Sequence, residues 1–331
     1  MLYINLLLGL MIILVSAELF TNGIEWLGAK LGLSEGAVGN ILAAVGTALP
    51  ESMIPIVAII FSTGIDAEHI GIGAILGAPF MLGTLAFFIT GLCTKLFVWR
   101  GPSSRILHID NSLFIKDLVF FIFLYSLALG ASFTNIKIIH YSIVALLLVG
   151  YLNYVVITIK SGKNMGHSNL RPLYSCFWQK EPKLLFVVLQ VIFSLLMIVA
   201  GAELFVGGIK FLAVQIGMPS LVLALVLAPV ATELPEKFNS IIWIGKKKDT
   251  LALGNITGAM VFQSSIIPAL GIMTTPWQLD GISLLSGLLV LSSSFILLIS
   301  VLSTKELRAN HLIFSGFFYL IFILVVCWAM N

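Results

Sequence analysis

"AELFTNGIEWLGAKLGLSEGAVGNILAAVGTALPE" at residues 17–51 and "AELFVGGIKFLAVQIGMPSLVLALVLAPVATELPE" at 202–236 align without a gap, with about 15 of 35 positions identical. Ala-Glu-Leu-Phe and Leu-Pro-Glu recur in one register, which apolar composition alone does not produce. A second matched pair follows, "GIGAILGA" (71–78) and "ALGNITGA" (252–259), at a slightly shorter offset. The chain around them has 331 residues, 59% hydrophobic and 10% charged, with a mean hydropathy of +1.10. Soluble domains carry about 25% charged residues, so this composition describes a polytopic membrane protein.

Apolar runs of about 20 residues mark membrane helices. Ten are expected, at 2–22, 37–61, 70–93, 117–133, 137–159, 184–206, 219–243, 251–273, 281–303 and 312–330. The N-terminus lacks a basic leader region, so the first run reads as a retained span. Lys and Arg set the orientation. Alternate loops hold Lys30, then Lys95, Arg100, Arg105 and Lys116, then the basic stretch from Lys160 to Lys183, then Lys246–Lys248, then Lys305 and Arg308. The opposite loops hold Lys137 and Lys210. The first set is expected in the cytoplasm, with both termini outside an inner (cell) membrane.

Each copy of the repeat holds five expected spans, an odd number, so the second enters the membrane from the opposite side. The expected fold class is an all-α integral membrane protein of ten helices in two inverted five-helix repeats. The first covers 1–160 with its motif at 40–93, and the second covers 184–331 with its motif at 219–273. Residues 161–183 form a cytoplasmic linker. In such architectures substrate sites lie at the midplane between the copies.

The two Leu-Pro-Glu strings supply the chemistry. Pro50 and Pro235 lack an N–H and crowd the carbonyls of Gly46 and Ala231, which favours a local opening of the helix. Freed carbonyls in the bilayer are tolerated where they are buried in protein or face a wet cavity. Thr47 and Glu51 share one helix face, as do Thr232 and Glu236. A midplane acid costs at least about 2.5–3.5 kcal/mol on insertion scales. Two such acids facing each other need a cation or protons between them, so the two strings read as halves of one cation site.

These residues resemble the calcium/cation antiporter superfamily, in particular the sodium/calcium exchangers, whose signature in the second and seventh spans is Gly-Thr-Ser-x-Pro-Glu. Here it reads Gly46-Thr47-Ala48-Leu49-Pro50-Glu51 and Ala231-Thr232-Glu233-Leu234-Pro235-Glu236. The resemblance implies alternating access, with calcium exchanged for sodium or protons and Glu51 and Glu236 as the shared metal ligands. The eighth span keeps Gly254, Asn255 and Gly258 of the family pattern and ends it in Gln263. The third reads Gly73, Ala74, Gly77, Ala78 and Leu82, with almost every side-chain ligand gone. That loss keeps a second reading open, an exchanger fold without strict coupling that acts as a cation uniporter or a cation-binding sensor.

Glu233 adds a carboxylate, and Lys237 stands four residues on, as an ion-pair partner, a built-in cation that compensates charge, or a side chain that snorkels to the surface. Thr47, Thr232, Glu233 and Gln263 join Glu51 and Glu236 in the expected ion-binding set, while Asn239 and Asn255 are candidates for the pathway. Gly73, Gly77, Gly254 and Gly258 are expected to let the third and eighth spans press against the carboxylate helices. Glu18 is expected at the external end of the first span and Glu203 in the internal part of the sixth. Cys93, Cys176 and Cys327 share no metal-like spacing. No nucleophilic triad, phosphate loop or nucleic-acid motif is present, so an enzyme is not expected. The expected partners are cations and lipid, with no cofactor and a monomer as the transport unit.

Overall fold

The computed structural model describes residues 2–30, 52–62, 64–97, 106–161, 171–176 and 181–329; within these the side chains of residues 2–4, 28, 65, 159, 161, 231 and 234–239 lie outside the description. The described elements are helices apart from one two-residue strand pair. In chain order they are α1 (Leu2–Lys30), α2 (Ser52–Phe61), α3 (Ile65–Met81), α4 (Phe87–Leu96), α5 (Asn111–Gly130), α6 (Lys137–Ser161), α7 (Leu184–Ile216), α8 (Ser220–Gly245), α9 (Asp249–Gln263), α10 (Ile266–Thr274), α11 (Gly281–Thr304) and α12 (Ala309–Ala329). The strands are β1 (Ile106–Leu107) and β2 (Leu307–Arg308).

Among the described residues eight helical stretches are long and apolar enough to cross a membrane, with α3–α4 and α9–α10 each counting as one. Two shorter apolar stretches, Ser52–Phe61 and Ser220–Val230, stand beside them. Over an 18-residue apolar window in each, 83% of α3–α4 and 67% of α9–α10 is buried, against 17% of α6 and 22% of α12. The third and eighth spans therefore form the centre, and α6 and α12 turn apolar surface outward, where lipid is the solvent.

Helix contacts come in matched pairs. Numbering from the start of each half, α4 packs on α12 as α10 packs on α6, and α5 on α9 as α11 on α3. In the same way α5 lies beside α6 as α11 lies beside α12, and α1 lies against α7. The caps repeat as well. Asp110 accepts from the N–H groups of Ser112 and Leu113 at the start of α5, and Asp280 accepts from that of Ser283 at the start of α11.

Polar bonds sort the connections by end. At one end β1 and β2 pair antiparallel, His108 N donates to Asp249 Oδ2 (2.9 Å) and Asn111 Nδ2 donates to Lys305 O (2.7 Å). These bonds gather the connections before α5, α9 and α12, which carry most of the loop lysines. Residues 171–176 dock on the last turns of α1. Trp26 Nε1 donates to Arg171 O at 2.9 Å, and Glu18 Oε1 accepts from the Tyr174 hydroxyl at 2.8 Å and pairs with Arg171 at 3.4 Å. At other connections Ser220 Oγ donates to Asp66 Oδ1 and Trp277 Nε1 donates to Ala128 O, both at 2.9 Å.

Three expectations change. Glu18 sits against the basic linker at Arg171 and Tyr174, the segment whose lysines and arginines read as cytoplasmic. The fourth span begins at Asn111 instead of 117, because Asp110 caps it; Lys116, counted as a loop charge, is thus helical and mostly buried. Pro235 does not open its helix, since α8 runs unbroken from Ser220 to Gly245. The break falls in the eighth span, at Ser264–Ser265, where Ser265 takes φ −121° and ψ −71°. Pro268 explains it: the ring crowds the Ser264 carbonyl, and a proline in the first turn of α10 gives up no hydrogen bond.

Gly73 and Gly77 set the α3–α8 contact. A Cβ at Gly73 would lie 2.3 Å from Leu221 O, and one at Gly77 2.1 Å from Leu225 O. Backbone on both sides leaves no soft neighbour to yield. Gly77→Ala is expected to cost about 1–3 kcal/mol, read as a lower unfolding temperature in detergent, while Gly130→Ala, which meets nothing within 4 Å, should leave that temperature nearly unchanged.

Candidate cation site

In α8 the signature runs through the helix as a polar stripe. At 100° per residue, Glu236 falls between Thr232 and Glu233 on the circumference, with Asn239 and Ser240 flanking the same side one turn on. Thr232, Glu233 and Ser240 are buried. Thr232 Oγ1 donates back to Ala228 O at 2.9 Å, which keeps its proton on its own helix and leaves the oxygen as an acceptor.

The central contact joins α8 to α9. Gln263 Nε2 donates to Glu233 Oε1 at 2.8 Å, with both residues at most 3% exposed. Gln263 is the last residue of α9, immediately before the break, so the interruption fixes where its amide ends. Its Oε1 is buried and accepts no hydrogen bond from the described residues. A buried amide oxygen beside a buried carboxylate is a pair of hard oxygen donors, the set that group II and alkali cations prefer. Ser264 and Ser265 donate to Val261 O and so cap the carbonyl at the break instead of facing the carboxylate.

The matching point of the third span has a different character. Under the 71–78/252–259 alignment Leu82 corresponds to Gln263, and Ala78 and Ala74 to Ala259 and Asn255. Ala74, Ala78 and Leu82 are all buried and apolar. Yet the backbone is irregular here too: Leu82–Ala86 is a π-helical turn, and Ser293 Oγ of α11 donates to Gly83 O at 2.7 Å. Helix interruptions at equivalent places in the two central spans were not visible in the hydropathy pattern. Pro268 and the paired serines were the signal for one of them.

Other expected site residues lie as follows. Gly46, Thr47, Pro50 and Glu51 are outside the described residues, and Pro235, Glu236, Lys237 and Asn239 are described as helical backbone only. Asn255 is half-buried on α9. A Cβ at Gly254 would meet nothing within 4 Å among the described residues, and one at Gly258 would meet the Tyr154 hydroxyl at 3.6 Å. The close approach expected of the four glycines is thus seen at Gly73 and Gly77. Among the described residues no group of three His, Cys, Asp or Glu could hold a metal ion.

The chain resembles known proteins along nearly its whole length. Residues 1–160 and 186–330 match the family described as sodium/calcium exchanger protein. CaxA of Alkalimonas amylolytica, named as an antiporter, is 26% identical over 331 residues, covering 96% of this chain and 98% of its own. The crystal structure of the H+/Ca2+ exchanger CAX has the same fold, with a TM-score of 0.73 at 16% identity over 98% of this chain and 83% of that one. The sodium-calcium exchanger NCX_Mj gives a TM-score of 0.60 at 20% identity over 97% of this chain and 98% of that one.

The Gln263 amide donates to a buried carboxylate, and removing it has a measurable cost. Gln263→Leu is expected to destabilise the protein by about 1.5–3 kcal/mol, seen in thermal unfolding, and Gln263→Asn, too short to span the same distance, should recover little of it.

Proposed function

This chain belongs to the sodium/calcium exchanger family, whose members are transporters and not enzymes, and we propose that it is a secondary-active antiporter exchanging calcium for a monovalent cation. The observation that carries this is the buried Glu233–Gln263 contact between α8 and α9, which sets oxygen donors within the membrane region beside the Thr-x-x-x-Glu stripe. Glu51 and Glu236 are the shared metal ligands in this reading, assisted by Thr47, Thr232, Glu233 and Gln263. With all groups ionised, Glu51, Glu233, Glu236 and Lys237 sum to about −2, a charge suited to one divalent ion. Calcium takes about six to eight oxygens, within reach of these side chains, backbone carbonyls and water. Lys237 compensates the charge that Glu233 adds. No resident cofactor takes part, and one chain forms the transport unit.

The architecture in this reading is ten spans, made of the eight long helical stretches, α2 and α8, in two inverted halves at 1–160 and 184–331. The matched helix contacts support it, as do the paired Asp110 and Asp280 caps and the interruptions at equivalent points. The lysine-rich end is cytoplasmic by the positive-inside rule, which places both termini outside the inner membrane. Access then alternates between the two sides as the halves move.

Protons suit the counter-ion role better than sodium. Each sodium ion needs its own oxygen shell, and the buried Ala74, Ala78 and Leu82 supply no side-chain oxygen. A proton needs only a carboxylate, and Glu233 adds one where the family signature has a serine. The same bare third span favours, as the second reading, a uniporter that moves calcium without a coupled ion.

Calcium flux in proteoliposomes separates these. An imposed proton gradient is expected to drive uptake, with sodium a weaker driver, and Glu51→Gln or Glu236→Gln should each abolish it. Calcium movement indifferent to both gradients would favour the uniporter. Folded protein that moves no cation under any gradient would reject transport. Lys237→Ala is expected to alter ion preference; unchanged selectivity and affinity would remove Lys237 from the site.

A further inference from the structure

A second buried ionisable cluster lies away from the Glu233–Gln263 contact. Asp117 on α5 is 5% exposed, seven residues past its N-cap and therefore about 10 Å along the helix. Its Oδ2 accepts from Thr257 Oγ1 of α9 at 2.6 Å, its Oδ1 lies 3.7 Å from Lys116 Nζ, and the Tyr154 hydroxyl also stands beside the carboxylate. Lys116 is held in turn by α6: its Nζ donates to Thr158 Oγ1 at 2.9 Å and sits 5.1 Å from the centroid of the Tyr154 ring. An ionisable group inside a membrane helix is costly enough to call for a role. The cluster ties α5 to both α6 and α9. In the matched contact α11 carries no charged residue over 281–304, and α11 meets the third span through Ser293 instead.

The role follows from where Thr257 stands. It lies on α9 six residues before Gln263, about 9 Å along the axis and on a different side of the helix. The Gly254–Gly258 side of α9 offers little side-chain contact among the described residues. Beside the apolar packing of Leu253, Ile256, Met260 and Val261, Thr257 and Gln263 are polar side-chain ties that join α9 to α5 and to α8.

We propose that Asp117 is a positioning residue for the cation site: through the Thr257 hydroxyl it helps hold α9 at the rotation that brings Gln263 to Glu233, with Lys116 beside its other oxygen. This rests on the cation-antiporter reading for its calcium arm and on the geometry alone for its stability arm. In the first arm, calcium binding to purified protein is measured by isothermal titration. Thr257→Val is expected to weaken binding about tenfold, the lower range for groups that orient metal ligands, and Thr257→Ser should restore it. Asp117→Asn, whose amide oxygen still accepts the hydroxyl, should weaken binding less than Asp117→Leu.

In the second arm, calcium-free unfolding temperatures are compared for Thr257→Val, Gln263→Leu and the double variant. Sites this far apart normally add; here the double variant should lose less than the sum of the single losses. Wild-type calcium affinity in Thr257→Val, or strictly additive losses, would overturn the proposal. Wild-type protein that binds no calcium would sink the antiporter reading and leave the unfolding cycle to decide this one.

Discussion

A carboxylate inside an apolar helix bundle must be matched by groups from neighbouring helices, because lipid offers it nothing. Glu233 meets that demand through the Gln263 amide, and much of the surrounding structure follows from it. For Gln263 to reach Glu233, α9 must stop where it does, and Pro268 makes it stop. For α8 to bring a polar stripe into the buried centre, the third span must lie close against it, and Gly73 and Gly77 remove the side chains that would keep it away. Glycines, proline and amide thus act on one geometric requirement from three directions.

The two halves share a plan and differ in chemistry. Contacts, caps and helix interruptions recur at equivalent places, yet Leu82 stands where the other half has Gln263, Ala48 where it has Glu233 and Ser52 where it has Lys237. The backbone plan outlasts the side chains because packing constrains it on every side. A ligand position tolerates an apolar residue if the remaining oxygens still suffice for the ion. The π-helical turn at Leu82–Ala86 illustrates this: the irregularity is present although the side chain of its first residue carries no donor or acceptor, and Ser293 takes up the Gly83 carbonyl.

Most of the fold could be read from residues whose effect is local. The doubled Ala-Glu-Leu-Phe and Leu-Pro-Glu strings revealed the repeat, and hydropathy located the long helices, since a bilayer imposes one length on all of them. What escaped depended on partners distant in sequence or on backbone detail. The start of α5 was placed too late because Asp110 was not weighed as a cap, and Lys116 was consequently assigned to a loop. Glu18 was not placed beside the basic linker because its partners there, Arg171 and Tyr174, are over 150 residues away. Pro235 was expected to open its helix and does not, whereas Pro268 drew no attention and does. A proline's effect depends on whether its turn lies inside a helix or at the start of one. Glu233 and Gln263 were both visible as polar residues in apolar runs; their direct contact was not, because it depends on the relative rotation of two helices.

Unlike halves have a consequence for energetics. If two oppositely inserted copies exchange roles to present a site first to one side and then to the other, identical copies would make the two arrangements equal in free energy, and the empty protein would spend half its time in each. Here an amide, an extra acid and an ammonium belong to one copy, and the Asp117 cluster also lacks a twin. In a protein that worked by such an exchange, these unmatched groups would lift the degeneracy, and the unloaded chain would rest with a preferred doorway open by whatever margin they contribute.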